Sequence, residues 1–302
     1  MTDMSARPHF SAMLERCKPL PALKTALVCP HETTALGGAL EARDLGLIEP
    51  ILVGEPKRIK KVATDNGFNI DGLTIVEAEG EQGAAHIGVD CVVDGRAQAI
   101  MKGDVHSDTY LSAIIRRDNG MRTDSRTSHC FVMDIPDWPK PIIITDAALN
   151  VAPDVKNRIA ITRNAIALAH ALGVETPKVA VLSAVESVNA AIPSSAEAEQ
   201  IATEVYDGAV VGGPFALDNA VSMRAAKLKG ITDPAAGDAD ILVVPTIEAG
   251  NILFKALVYM AGAETGGLVV GASAPVILTS RADSAEARIA SCALAVLAAN
   301  TA

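Results

Sequence analysis

Aromatic residues are scarce, at 3 % of the 302 residues. The core must therefore come mostly from Ala, Val, Ile and Leu, which suits buried parallel strands covered by helices. Cysteine is sparse too. Cys17, Cys29, Cys91, Cys130 and Cys292 lie far apart and no two form a C-x-x-C pair. Their odd number suits free thiols in a reducing, cytoplasmic setting. Positive charge is in short supply, with 26 Lys and Arg against 36 Asp and Glu and a net charge of −10. A sequence-independent nucleic-acid binder would be basic, so nucleic acid is not an expected partner. Long apolar runs are missing, and Lys255 interrupts the stretch from Ile252 to Ala261. No membrane span is expected. Residues 1–18 carry Asp3, Arg7, Glu15 and Arg16 with no apolar segment, so they do not read as a signal peptide.

Several motifs are absent as well. No G-x-G-x-x-G opens a helix after a strand, so a Rossmann dinucleotide site has no support. Gly266 and Gly271 have P-loop spacing, but Ala272 and Ser273 follow where that loop needs Lys and Ser or Thr. There is no H-E-x-x-H, no zinc spacing of His and Cys, and no G-x-S-x-G elbow. We expect no metal site and no bound cofactor.

What is present is an ordinary globular composition, 49 % hydrophobic and 21 % charged. Apolar strand-like runs alternate with helical patterns along the whole length, which indicates an α/β fold with a mostly parallel sheet. Arg158 to Leu172 reads as a strong helix stopped by Gly173. Pro136, Pro139 and Pro141 make a proline-rich turn near the middle, where a domain crossover is expected. No low-complexity linker separates the halves, so ligands are expected at carboxyl ends of strands in a cleft.

Three segments can carry chemistry. The run Pro275 to Ser280 is apolar up to a polar end, and Arg281-Ala-Asp283-Ser284-Ala-Glu286 follows. Asp283 and Glu286 have capping-box spacing, which starts a helix near Ser284. Ser280 and Arg281 would then sit beside a helix N-terminus, a place that favours an anion. The second segment holds Arg116, Arg117, Arg122 and Arg126 across a Gly-containing loop, either a docking place for a small polyanion or a solvated loop paired to Asp118 and Asp124. The third, Lys102-Gly-Asp-Val-His106-Ser107-Asp108-Thr109, directly follows a strand. There His106 could carry a proton or bind phosphate. Lys57, Arg58, Lys60 and Lys61 read instead as the solvent face of an amphipathic helix.

Taken in order, these segments resemble the phosphate acetyltransferase and phosphate butyryltransferase family. The likeness runs through Met101 to Thr109, Ile144 to Asn150 with Ala152-Pro-Asp154, Asn164 to Gly173 and Val181 to Glu186. It continues through Gly213 to Ala220, Ala236 to Ile241, Glu248-Ala-Gly-Asn251 and Leu278 to Ser284, covering roughly residues 20 to 300. The resemblance implies two three-layer αβα domains with a cleft between them, similar to the isocitrate and isopropylmalate dehydrogenases. It implies domains at 1–140 plus 280–302 and at 141–279, and a homodimer. The implied reaction moves an acetyl or butyryl group between acyl-CoA and inorganic phosphate, with CoA a substrate rather than a cofactor. By the same likeness, Ser280 and Arg281 would act on the thiol, the developing oxyanion and the phosphoryl group. His106, Ser107 and Asn251 would bind substrate; the family's phosphate-binding Arg after the His-Ser loop has no clean match, and either Arg116 or Arg117 could supply it.

The chain departs from the family pattern at three further places. Ala287 stands where the proposed base, an Asp, would fall, so Asp283 and Glu286 are the remaining candidates. Gly212 and Thr246 stand where the family often has Asp. Two other readings compete. One is a metal- and NAD-dependent dehydrogenase on the same scaffold, with Asp218, Asp238 and Asp240 as ligands. The other is a non-catalytic CoA-binding homologue.

Overall fold

A computed structural model describes residues 7–279 and 284–301. The chain opens with α1 (Pro8–Cys17), β1 (Leu23–Val28), α2 (Thr33–Asp44), β2 (Ile48–Gly54), α3 (Pro56–Asn66), β3 (Ile75–Glu77), α4 (Gly80–Val93), β4 (Ala99–Lys102) and α5 (Ser107–Ile115). It continues through β5 (Ser128–Asp134), β6 (Ile142–Thr145), α6 (Val155–Ala171), β7 (Lys178–Leu182), α7 (Pro193–Ala202) and β8 (Val210–Phe215). Then come α8 (Leu217–Val221), α9 (Met223–Leu228), β9 (Ile241–Val243), α10 (Ile247–Ala261), β10 (Glu264–Val270), β11 (Val276–Ile277) and α11 (Ala285–Ala299). The fold is mixed α/β, as the composition indicates.

Two compact units emerge. The first comprises Met1–Ser125 and Thr265–Ala302, the second Arg126–Glu264. The proline-rich turn thus lies inside the second unit. Its prolines connect β5 to β6, which pair antiparallel with Phe131 opposite Ile144. Proline fits there because it bounds a turn between strands and withholds no ladder donor.

In the first unit the strand order is β3-β2-β1-β4-β11-β10. All neighbours are parallel except β10 and β11. β4 is buried along its whole length, and β1 is buried except at Lys24. Such strands, covered on both faces, read as continuous apolar runs rather than alternating ones. The covering helix α11 is rich in Ala, and every residue from Ala287 to Leu297 is buried. Small side chains let it approach closely. A Cβ at Gly38 in α2 would stand 2.7 Å from the Arg288 side chain of α11.

In the second unit the order is β5-β6-β9-β7-β8, with β6, β9, β7 and β8 parallel. Its core gathers Ile142, Ile144, Ala180, Leu242 and Phe215. The helix expected at Arg158 to Leu172 is α6. The Asp154 carboxylate caps it by accepting the Asn157 N–H at 2.8 Å.

Candidate functional site

Because β1, β2, β4 and β11 run parallel, their carboxyl ends share one edge of the first unit. Ile277 lies beside Met101, and Leu27 is paired to Met101 on the other side. The segments leaving that edge are therefore neighbours although they come from distant parts of the sequence. In open α/β sheets this edge is where ligands bind.

Tight backbone contacts shape the edge. Gly103 donates its N–H to the Val28 carbonyl at 2.9 Å, and Asp104 donates to the Cys29 carbonyl at 2.7 Å. A side chain at Gly103 would run into the Val28 and Cys29 carbonyl oxygens. Only glycine lets the segment after β4 lie so close to the end of β1. Cys29 itself takes a φ of 52°. His31 tucks against Gly54, and its Nε2 accepts the Glu55 N–H at 3.1 Å. Burial pushes the His31 pKa down, and the nearby Arg58 guanidinium adds to this. Lys102 is buried at 2 % exposure, with Nζ donating to the Gly103 carbonyl at 3.3 Å.

His106 occupies the N-cap position of α5. Its backbone N–H donates to Glu81 Oε2 at 2.7 Å. Its ring Nδ1 lies 2.8 Å from Oε2 and 3.0 Å from Oε1 of the same carboxylate. Glu81 comes from the first turn of α4 and had no signal in the sequence. Asp104 faces Arg58 at 3.8 Å, and Arg58 also reaches Glu55 at 3.6 Å.

Of the residues singled out from sequence, Ser280, Arg281 and Asp283 lie outside the described residues. The flanks are described. Thr279 is buried, and its Oγ1 accepts from Arg288 Nη1 at 3.1 Å. The helix cap differs from expectation. Ser284, not Asp283, is the N-cap, and its Oγ accepts the Ala287 N–H at 2.9 Å. The Ser284 hydroxyl satisfies one of the orphan N–H donors of the first turn. Glu286 falls in the first turn of α11, half-buried, and makes no hydrogen bond or ion pair among the described residues.

Ser107 opens α5 beside His106 and is exposed. Arg116 and Arg117 follow the other end of that nine-residue helix, about 13 Å away at 1.5 Å per residue. The structure therefore does not bring them to His106. Arg116 grips Asp118 through Nε at 2.7 Å and Nη2 at 3.2 Å. Arg116 also helps line a groove of about 570 Å³ between α4 and α5, with Gln82, His86, Asp108, Thr109 and Ser112. The four arginines are not one cluster. Arg122 bridges to Ala272 in the first unit, whereas Arg126 Nε donates to Asn150 Oδ1 at 2.6 Å in the second. The basic run Lys57 to Lys61 lies on α3, with Lys57, Arg58, Lys60 and Lys61 off the buried face of Ile59 and Ala63.

In the second unit the segment after β6 is organised by Asp146. Its buried carboxylate accepts from the N–H groups of His129, Ala148 and Leu149 and from Asn150 Nδ2. Asn251 is half-buried on α10, whose N-cap is Thr246. Gly250 lets that helix sit against the same loop, since a Cβ there would stand 2.7 Å from the Ala147 Cβ. A side chain at Gly212 would run into the Asp233 carboxylate, so an acid from elsewhere occupies that space. Asp238 and Asp240 hold lysines rather than a metal-ready geometry. Lys140 reaches both at 2.8 and 2.6 Å, and Lys178 Nζ reaches Asp238 at 2.8 Å. Asp218 lies 3.5 Å from Lys229. Among the described residues no cluster of three or more His, Cys, Asp or Glu could hold a metal ion.

All five cysteines are buried free thiols. Burial pushes Cys17 up to about 11 and Cys29, Cys130 and Cys292 up to about 12. No described helix is long and apolar enough to cross a membrane.

A mixed α/β fold with a largely parallel sheet places the chain close to solved phosphotransacylase structures. A branched-chain phosphotransacylase from Enterococcus faecalis V583 superposes with a TM-score of 0.79 at 32 % identity, covering 91 % of this chain and 99 % of that one. Residues 81–296 match the family model described as phosphate acetyl/butaryl transferase, and the chain belongs to that family. Curated relatives agree. A phosphate acetyltransferase from Rhizobium meliloti is 44 % identical over 90 % of this chain and 88 % of its own length. A phosphate butyryltransferase from Clostridium beijerinckii is 38 % identical over 96 % of this chain and 97 % of its own.

Proposed function

We propose that the protein transfers a short acyl group between acyl-CoA and inorganic phosphate, giving acyl phosphate and CoA. The observation that carries this reading is the family match, which spans the strand-end loop at His106 and the segment from Leu278 into α11 as far as residue 296. The chemistry needs a base for the thiol and cationic or N–H partners for the phosphate. In this reading Ser280 hydrogen-bonds the thiol or oxyanion and Arg281 holds the phosphoryl group. CoA is a substrate, and no further cofactor is required. In this reading the two units, bounded at 125/126 and 264/265 rather than at the expected 140/141 and 279/280, act as αβα domains of the isocitrate and isopropylmalate dehydrogenase kind.

A cytoplasmic homodimer belongs to the same reading. Its support is the α10 surface, where Ile252, Tyr259 and Met260 are 69 %, 75 % and 87 % exposed. Large apolar side chains grouped on one helix favour a protein contact.

The test is release of free CoA thiol from acetyl-, propionyl- and butyryl-CoA, with and without phosphate, in EDTA and without NAD. Phosphate-dependent release that persists in EDTA is expected, and the ratio across chain lengths names the substrate. CoA binding without release would favour the non-catalytic homologue.

A further inference from the structure

We propose that His106 is the base that takes the CoA thiol proton, with Glu81 as the positioning residue that presents its Nε2. This rests on the acyl-transfer reading above. A carboxylate only accepts hydrogen bonds, so Nδ1, held at 2.8 and 3.0 Å from both Glu81 oxygens, must carry the ring proton. The Nε2 lone pair is then left open. The His106 side chain is 69 % exposed, so that lone pair is reachable. Glu81 also accepts the His106 N–H at 2.7 Å, which fixes the backbone from which the ring projects. The pair stands on the strand edge that β11 and Thr279 also reach.

The other described groups on this edge are poorly suited. His31 Nε2 is occupied by the Glu55 N–H. Lys102 is a buried donor. Cys29 is a buried thiol pushed up to about 12. A carboxylate ordinarily lies about 4 pKa units below a thiol at about 8.5, whereas an imidazole ordinarily lies only about 2 units below it. Besides Glu81 on α4, the charged groups around His106 are Asp104 before it, Asp108 in the first turn of α5, and Arg58 of α3 through Asp104.

The step balances without another reactant. The thiol proton moves to Nε2, and the sulfur forms a bond to the acyl carbon. The carbon–oxygen bond to the phosphoryl group breaks, with its electron pair on the departing phosphate. The imidazolium, opposite the Glu81 carboxylate, then returns its proton to a phosphate oxygen.

The experiment combines rates and spectroscopy on the full-length protein. In the direction acyl phosphate plus CoA, His106→Gln is expected to lower kcat about 100-fold near pH 7, the ordinary scale of a lost general base. The deficit should narrow tenfold or more by pH 9, where the thiol ionises unaided. Glu81→Gln should lower kcat with little change in the KM for CoA, and the double variant should be no worse than His106→Gln alone. Independently, the imidazole ¹⁵N shifts of His106 in the resting protein should report the Nδ1–H tautomer, lost in Glu81→Ala, which leaves no side-chain acceptor for Nδ1–H. A deficit that is constant with pH, or a tautomer unchanged by Glu81→Ala, would overturn the proposal. Wild-type protein that binds CoA but never turns over would instead overturn the acyl-transfer reading, and the tautomer result would still decide the pairing.

Discussion

His31 and Glu55 lock the ends of β1 and β2 together: the imidazole Nε2 accepts the Glu55 N–H at 3.1 Å, and the ring lies where a side chain at Gly54 would be. The bond requires the neutral ring. Burial chiefly, and Arg58 next, hold the His31 pKa below its ordinary 6.5. The unfolded chain therefore binds more protons than the folded one as pH falls through about 6.5. Stability from neutral His31 is fully present above that pH and is lost progressively below it. Thermal unfolding at pH 7.5 and at pH 5 should show a drop in Tm that His31→Gln reduces. An equal drop in the variant would assign the acid sensitivity to other groups.

Ser280→Ala and Arg281→Ala should each lower turnover at least tenfold, roughly 1.4 kcal/mol of transition-state stabilisation. Arg281→Lys should not restore full rate, because an ammonium cannot form the planar two-point grip of a guanidinium on phosphate. Steady-state rates decide this. Near wild-type turnover in both alanine variants would remove that pair from the site.

The five thiols are predicted to be silent in catalysis. Each is buried, and burial raises Cys29, Cys130 and Cys292 to about 12. Only thiolate reacts quickly with a disulfide reagent. Native protein should therefore titrate near zero thiols, and urea-unfolded protein all five. A folded, cysteine-free variant should retain activity.

Arg158 of α6 is wholly buried, with Glu197 at 3.2 Å. Its Nε and Nη2 have no hydrogen-bond partner among the described residues. Removing a partner from a buried charge costs more than removing both. Glu197→Ala should destabilise by about 2 kcal/mol or more, while Arg158→Met with Glu197→Ala should recover most of that loss. Urea unfolding of the single and double variants measures it.

Gly103→Ala should destabilise more than an ordinary Gly→Ala change, because its new methyl meets backbone oxygens of Val28 and Cys29 rather than a movable side chain. A cost above about 2 kcal/mol is expected, beyond the centre of the range for single substitutions. A melt shifted by less than a few degrees would contradict that close approach.

The sequence alone determined what depends on near neighbours. Alternating apolar runs and helical periods set the α/β class, and Gly173 marked the end of α6, although the helix starts at Val155, three residues before the expected Arg158. The strand-end loop at Lys102 to His106 and the order of motifs were enough to indicate the family. Tertiary structure decided what depends on residues far apart in the chain. Glu81 and His106 are 25 positions apart, and His31 and Glu55 are 24 apart. Neither pair has a local pattern to announce it, because both join segments that leave different strands and meet only when the sheet is assembled. The proline-rich turn misled for the same reason, since prolines mark a bend but not which strands the bend joins. The four arginines near Arg116 looked like one cluster in sequence. Folding distributed them, because Arg116 pairs with Asp118, Arg122 lies against Ala272 in the first unit and Arg126 holds Asn150 in the second.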